Sequence, residues 1–563
     1  MNKNHLYFKK IQRYKKRTQP VINFLDQTRL LPLLIPVINW SLRKAKIQRQ
    51  FQKDLNYRLI GKAFTKKIIP YHQSTDKKTI LVPFFTGGDN IFLLLNFMII
   101  HRMQKKGYQS VFLICDKSLP ICNNERIFKT RNEDTHLCNN CNKPYSFLSK
   151  ITGARFLKLS DYVQNNDHLD ESENIEQLRS LDACKNYTYQ GIELGKIAEK
   201  SVLRFFLVGQ LSETKESVDV YQRFLKSMIF FHTSWTNMMK QEEINPSLVL
   251  LYNGALSFET YIRNYCTTQS IDYVTSETFI GHNSWMYKKN DEIMKMNWDE
   301  YWDDFNRNPL SESQHNDAKG FIEGLRGGKD MYAKLNDKTP LDSRLVDKDF
   351  VALFTNLNFD TAVLGRNSIF KSMHDWIEHI IDFWIENKIQ TLLVIRVHPA
   401  ELKLVSVSDD YVAPKIISKI QNQENILLFD AKDKVDSYTL IENMKFGLIY
   451  SSTIGMEISY MGKACLVAGE AFYKNKGFVT SAGYKNTYFQ ILNQMLVNPL
   501  SYVGSKEKVL KYIYFIYFNR VKRMNGIKMD HLKHINTFTF ENAEELESMN
   551  SDILDEFEKE IFC

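Results

Sequence analysis

No stretch of this 563-residue chain approaches the roughly 18–20 apolar residues that span a bilayer. Its N-terminus also lacks the charged, apolar and small-residue segments of a signal peptide. Both absences predict a cytoplasmic protein. There is no Gly-x-x-x-x-Gly-Lys-Ser/Thr loop, no Gly-x-Ser-x-Gly elbow and no His-Glu-x-x-His pair, so ATP hydrolysis, serine-type acyl transfer and zinc proteolysis have no foothold. Repeats of the solenoid kind are missing. So is a basic run interleaved with aromatics that would stack bases, and the net charge of +9 is the small difference between 74 basic and 65 acidic residues. Nucleic acid is therefore not an expected partner.

Cysteine is scarce, and eight of them in a cytoplasmic chain argue against a disulfide framework. Four cluster as Cys115, Cys122, Cys138 and Cys141, the last two forming Cys-Asn-Asn-Cys just after His136. A Cys-x-x-Cys knuckle with two further ligands suits a tetrahedral structural zinc, whereas ordinary reduced thiols in a loop-rich insertion need no metal. Both readings stay open.

Charge is unevenly placed. Residues 1–75 form a basic helical leader carrying Lys9, Lys10, Arg13, Lys15, Lys16 and Arg17, while the chain turns acidic from Glu541 onward. Within the leader, Leu30 to Trp40 is apolar but broken by Pro32 and Pro36 and flanked by cations. Such a segment either lies in a lipid headgroup layer as a peripheral membrane contact or forms a buried cap with solvated flanks.

A chain of this length predicts two or three packed units. Lys78–Phe85 reads as a buried strand, Thr86 to Asn90 as a glycine loop and Ile91–Gln104 as a helix, the opening of a nucleotide-type α/β unit. Further strands are expected at 110–115, 154–159, 247–252 and 272–276, with one long helical stretch at 194–239. Residues 76–285 are assigned to this first domain and 286–345 to a polar helical connection. A second α/β unit, 346–500, begins with the strand Asp349–Thr355 and a helix over 368–387, and continues with strands at 390–397, 425–429, 446–450 and 463–467. Residues 501–563 read as C-terminal helices, with a basic aromatic one over 506–524.

Ligands in open α/β sheets collect at the carboxyl ends of strands. There the second unit places Ser451, Ser452 and Thr453 where a strand turns into a helix, so hydroxyls and free N–H groups converge on a point suited to phosphate. Glu457 follows about one turn on, within reach of a ribose or sugar hydroxyl; the bland alternative is an N-cap and a solvated helix residue. His398, stopped by Pro399 at the end of a neighbouring strand, adds an imidazole that donates to a phosphate oxygen. In the first unit, Gly87 and Gly88 permit close backbone approach and Asp89 offers a carboxylate to take a proton from an acceptor hydroxyl, unless it merely caps the next helix. Asn253 and Glu277 end neighbouring strands on the same side. Glu277 is the alternative base.

The runs RVHPAE, NILLFD and LIYSSTIGMEISYMGKACLVAG resemble the C-terminal half of the bacterial capsule polysaccharide biosynthesis glycosyltransferases. They are also similar to the His-Pro and Ser-Ser/Thr motifs of two-domain bacterial sialyltransferases and, more distantly, to teichoic acid glycerophosphotransferases. The resemblance implies a GT-B fold: two Rossmann-like domains with parallel sheets facing a central cleft, the donor held by the C-terminal domain and the acceptor by the N-terminal one. It further implies a glycosyltransferase with no required metal or cofactor, and no Asp-x-Asp signature stands where a metal-dependent transferase would need one. The substrates would be a CMP-, UDP- or GDP-linked sugar and a capsular-type polysaccharide or its lipid-linked primer. Donor-side candidates are Arg396, His398, Ser451, Ser452, Thr453, Gly455 and Glu457; Gly87, Gly88 and Asn253 are acceptor-side; Asp89, His398 and Glu277 are the catalytic candidates. Alternative readings are a nucleotide-sugar epimerase or glycerophosphotransferase on the same fold, or a non-catalytic subunit of a capsule assembly or export complex.

Overall fold

The computed structural model describes residues 78–84, 90–123, 153–163, 169–279, 283–326, 339–360, 363–403, 410–529 and 535–562. The basic leader with Leu30 to Trp40, the loop holding Gly87, Gly88 and Asp89, and the pair Cys138 and Cys141 lie outside these residues.

The apolar runs become two doubly wound sheets. In the first, β1 (Thr79–Phe84), β2 (Gln109–Ile114), β3 (Arg155–Lys158), β4 (Pro246–Leu251) and β5 (Tyr273–Thr278) lie parallel in the order β3-β2-β1-β4-β5. The antiparallel strand β6 (Ser284–Lys289) extends it, burying Trp285, Met286 and Tyr287. It crosses the limit of 285 drawn for this domain because an antiparallel neighbour needs only a short turn and leaves no βαβ pattern to read. The second sheet is parallel throughout, with β7 (Phe350–Phe354), β8 (Leu392–Arg396), β9 (Ile426–Phe429), β10 (Phe446–Ile449), β11 (Ala464–Val467) and β12 (Thr480–Ser481) in the order β9-β8-β7-β10-β11-β12. Every side chain of β7 and β8 is buried, as expected for strands covered by helices on both faces. The fold is α/β and GT-B-like, two Rossmann-type sheets in one chain.

Several helices set the shape of the region between the sheets. After α1 (Asn90–Lys105), the stretch expected as one long helix is two, α2 (Leu194–Phe206) and α3 (Lys215–Gln241). The break lies at Leu207, left-handed at φ 57°, and α3 restarts where Thr214 accepts the Ser217 N–H at 3.1 Å. Helix α4 (Ser257–Thr268) follows β4, and α5 (Met373–Glu386) starts five residues later than expected, capped by Ser372, which accepts the Asp375 N–H at 3.1 Å. A short α6 (Ile454–Tyr460) follows β10.

The two units meet through polar contacts. The Gly209 N–H donates to the Asp410 carboxylate at 2.8 Å, and Asp410 also receives the Asn358 amide at 3.3 Å and pairs with His374 at 3.0 Å. Helix α7 (Lys506–Tyr514) then passes into a π-helical turn, Phe515–Arg520, whose Phe515, Ile516 and Tyr517 are buried. Its chain ends as strand β13 (Lys522–Arg523) on β6, so the helix expected to reach residue 524 instead returns the chain to the first sheet.

The acidic C-terminal segment docks there. Helix α8 (Ser551–Phe562) buries Leu554, Phe557 and Ile561, and its Glu560 accepts Arg520 at 2.8 Å, Tyr301 at 2.8 Å and Tyr287 at 3.1 Å. Arg520 and Glu560 are 5% and 11% exposed, so removing the carboxylate strands a buried cation. Glu560→Ala is expected to cost about 3 kcal/mol in urea unfolding; a loss under about 1 kcal/mol would mean the pair is solvent-screened.

Candidate functional site

In the second sheet, strand order reverses between β7 and β10, and their carboxyl ends form a crevice. Each of three neighbouring strands contributes to it. Thr355 and Asn356 follow β7, His398 follows β8, and Ser451 to Thr453 follow β10. The β7 residues tie the others together: Thr355 Oγ1 accepts the His398 N–H at 2.9 Å, and Asn356 Oδ1 accepts the Ser451 N–H at 3.2 Å. Sequence reading passed over Thr355 and Asn356, whose only signal is their place at the end of an apolar strand.

Ser451 holds the main chemical opportunity. Its hydroxyl oxygen is buried and has no hydrogen-bond partner among the described residues. A buried polar group left unmet costs on the order of 1–3 kcal/mol, so a hydroxyl in this place is explained by a ligand atom or water that completes it. The helix expected from Ser451 starts only at Ile454, leaving Ser451, Ser452 and Thr453 as the turn before it. That turn is held from behind, because the fully buried Tyr473 donates its hydroxyl to the Ser452 carbonyl. Gly455 faces this same tyrosine: a Cβ there would collide with the Tyr473 hydroxyl and lie 2.6 Å from Ile449 Cδ1. The glycine thus leaves room for Tyr473 to pack behind the turn.

His398 presents a neutral imidazole. Burial, with the Arg396 cation adding to it, lowers its pKa from 6.5 to about 4. The Ala400 N–H donates to its Nδ1 at 3.1 Å, which places the ring proton on Nε2 as a donor. Arg396 itself turns away. It is 1% exposed and gives its guanidinium to the carbonyls of Asp430 at 2.8 Å and Val435 at 3.3 Å, so it braces the β8–β9 end. Glu457 accepts the Tyr438 hydroxyl on the first turn of α6, and Thr453 makes no side-chain cap.

In the first unit the acceptor-side candidate Asn253 meets Glu277, the alternative base. Asn253 accepts the Ala255 N–H at 3.0 Å and donates to Glu277 at 3.2 Å. Glu277 also accepts the Tyr252 hydroxyl at 2.8 Å and the Thr278 N–H at 2.8 Å. A carboxylate so fully engaged orders the end of β4 and β5. One acid that sequence reading missed is Glu259, in the first turn of α4: it is 3% exposed, its Oε2 has no hydrogen-bond partner among the described residues, and burial raises its pKa to about 7. Among the described residues, which include Cys115 and Cys122 but not Cys138 and Cys141, no group of three or more metal-ligating side chains occurs. No helix of the described residues is long and apolar enough to cross a membrane.

Two outcomes follow from this geometry. Because His398 binds fewer protons folded than unfolded, its stabilising contribution is present above pH 6.5 and is lost as pH falls towards 4. Comparing urea midpoints of wild type and His398→Gln across that window is expected to isolate a wild-type decline on the order of 3 kcal/mol at most; parallel pH profiles would contradict it. Gly455→Ala is expected to lose about 1–3 kcal/mol by overpacking against Tyr473, and an unchanged midpoint would show that Tyr473 moves aside freely.

Residues 287–491 match the family described as capsule polysaccharide biosynthesis protein, a span that contains the whole crevice from Thr355 to Glu457. No curated protein matches the chain. Solved structures with similarity include the beta Kdo 2,4 transferase KpsC of Thermosulfurimonas dismutans, at 11% identity and TM-score 0.33, covering 54% of this chain and 87% of that one. The beta Kdo 2,7 transferase KpsC of the same organism has 14% identity and TM-score 0.34, covering 57% and 89%. The S. aureus MnaA–UDP complex has 11% identity and TM-score 0.24, covering 78% and 96%. At such identities and TM-scores these structures say nothing of activity. The sequence resemblance to the capsule polysaccharide biosynthesis family therefore stands on residues 287–491, where the family match lies.

Proposed function

We propose that this chain is a glycosyltransferase that moves a sugar from a CMP-, UDP- or GDP-linked donor onto a capsular-type surface polysaccharide or its lipid-linked primer. The observation that carries the reading is the buried Ser451 hydroxyl, unpartnered among the described residues, at the β7–β10 switch point, with the His398 imidazole, Nε2–H as donor, at the strand end on the other side of β7. The capsule-family match over residues 287–491 supports the same assignment.

In the reaction, the bond from the anomeric carbon to the phosphate oxygen breaks and negative charge grows on the departing nucleotide. Ser451 Oγ–H and His398 Nε2–H are the groups that answer this charge; Asn356 and Thr355 hold their backbones in advance, and the Ala400 N–H orients the imidazole. Ser452 and Thr453 flank them, and Glu457 reads a hydroxyl of the nucleoside or sugar. Burial keeps His398 neutral, and the Arg396 cation adds to that. The acceptor hydroxyl loses its proton to a carboxylate of the first domain; Asp89, Glu277 and Glu259 are the acids available, and Glu277 would first have to give up hydrogen bonds. Charge stabilisation by hydroxyl and imidazole donors makes transfer without a metal part of the proposal. The basic leader with Leu30 to Trp40 would hold the enzyme on the cytoplasmic membrane face, where a lipid-linked primer and a polysaccharide assembly complex are met.

Thermal stabilisation by CMP, UDP, GDP, CDP and ADP tests the donor site. One nucleotide at about a hundredfold its Kd is expected to add ~2.7 kcal/mol, and the gain should vanish in His398→Ala and in Ser451→Ala/Ser452→Ala. No shift with any nucleotide would transfer the weight to a non-catalytic assembly role.

A further inference from the structure

Between the two units lies a group of cations that the donor site does not use. Lys200 and Arg204 are four residues apart on α2, a spacing that puts like charges side by side on one helix face. Arg366, from the loop after β7, approaches Lys200 from the second unit and shares Asp360 with Arg204; Gly365 beside it sits at φ 74°, where a Cβ would lie 3.0 Å from Lys200 Cε. Arg263 completes the group from α4.

Counter-charge is short. Glu292, 4% exposed, is shared by Lys200 at 3.1 Å and Arg263 at 3.0 Å. Glu470 is paired with Lys474 at 2.8 Å. Asp360 is the remaining carboxylate near Arg204 and Arg366. One Arg366 guanidinium nitrogen, Nη2, is buried without a hydrogen-bond partner among the described residues. Arg204 lies over the Phe359 ring at 5.9 Å. Burial works against the charge of Lys200, Arg204 and Arg366 alike, so the protein holds desolvated cations together at a cost.

The position is informative. Arg204 senses Tyr252 at the carboxyl end of β4 and Asp360 in the loop after β7, so the cations stand between the strand ends of both sheets. We infer that Lys200, Arg204 and Arg366 form an interdomain oxyanion subsite that binds the negatively charged group of the acceptor, a sugar carboxylate or a saccharide phosphate. The inference rests on the glycosyltransferase reading for the word acceptor, while the anion site itself does not. Arg366 supplies a guanidinium nitrogen without a hydrogen-bond partner among the described residues, Lys200 and Arg204 supply charge, and binding would also draw the two units together.

The test uses the full chain at constant ionic strength, with glucuronate, glucose 1-phosphate and neutral glucose as probes and the thermal midpoint as readout. One or both anionic sugars are expected to stabilise the wild type while glucose does not, the stronger of the two naming carboxylate or phosphate. Arg366→Gln is expected to weaken that anion about tenfold, the size of one charge-assisted hydrogen bond, and to leave the unliganded midpoint equal or higher because repulsion is relieved. His398→Ala should keep the anion response. A wild type that responds to the anion but to no nucleotide would therefore sink the donor assignment alone. No anion shift in the wild type, an undiminished shift in Arg366→Gln, or a lower unliganded midpoint in that variant would overturn the subsite.

Discussion

Two adjacent parallel strands whose crossovers leave on opposite faces of a sheet cannot close the space beyond their carboxyl ends. That constraint, at the junction of β7 and β10, organises the second half of this molecule. Strand burial supplies the rigidity: β7 and β8 are buried at every position, and β10 likewise. On that base Thr355 and Asn356 act as ties from the central strand to its neighbours, fixing the backbones of His398 and Ser451 at 2.9 and 3.2 Å. Tyr473 and Gly455 then hold the turn from the far side.

The site's electrostatics are those of neutral donors. Helix α6 is only seven residues long, so its terminal field is modest, and the hydroxyl and imidazole are left to provide direction. Burial does most to depress His398, and Arg396 adds its charge while its guanidinium is spent on backbone carbonyls. The region between the units follows the opposite rule, with several desolvated cations sharing few carboxylates. A donor site that withholds charge beside a cleft that concentrates it would suit two ligands whose negative groups must be kept apart until transfer.

Much of the sheet framework was legible in the sequence, because strands covered on both faces read as continuous apolar runs and each ends in a recognisable turn. The positions of His398 and Ser451 followed from that reading. The ties did not: Thr355 and Asn356 meet partners 43 and 95 residues away, and nothing local marks such pairings. Arg396 illustrates the reverse failure, since adjacency to His398 in sequence says nothing of where a long side chain points. Likewise the α2–α3 break needs Leu207 in a left-handed conformation that no glycine announces, and β6 is antiparallel and so escapes a βαβ search. Glu259 and the Lys200–Arg204–Arg366 group become visible only when burial and facing elements are known.

The most direct test of the central claim is a crystal structure of the protein with a bound nucleoside phosphate. The account predicts a phosphate oxygen at roughly 3 Å from both Ser451 Oγ and His398 Nε2, inside the crevice between β7 and β10. A nucleotide seated instead at the carboxyl ends of β1 and β4, with Ser451 still unpartnered, would contradict it.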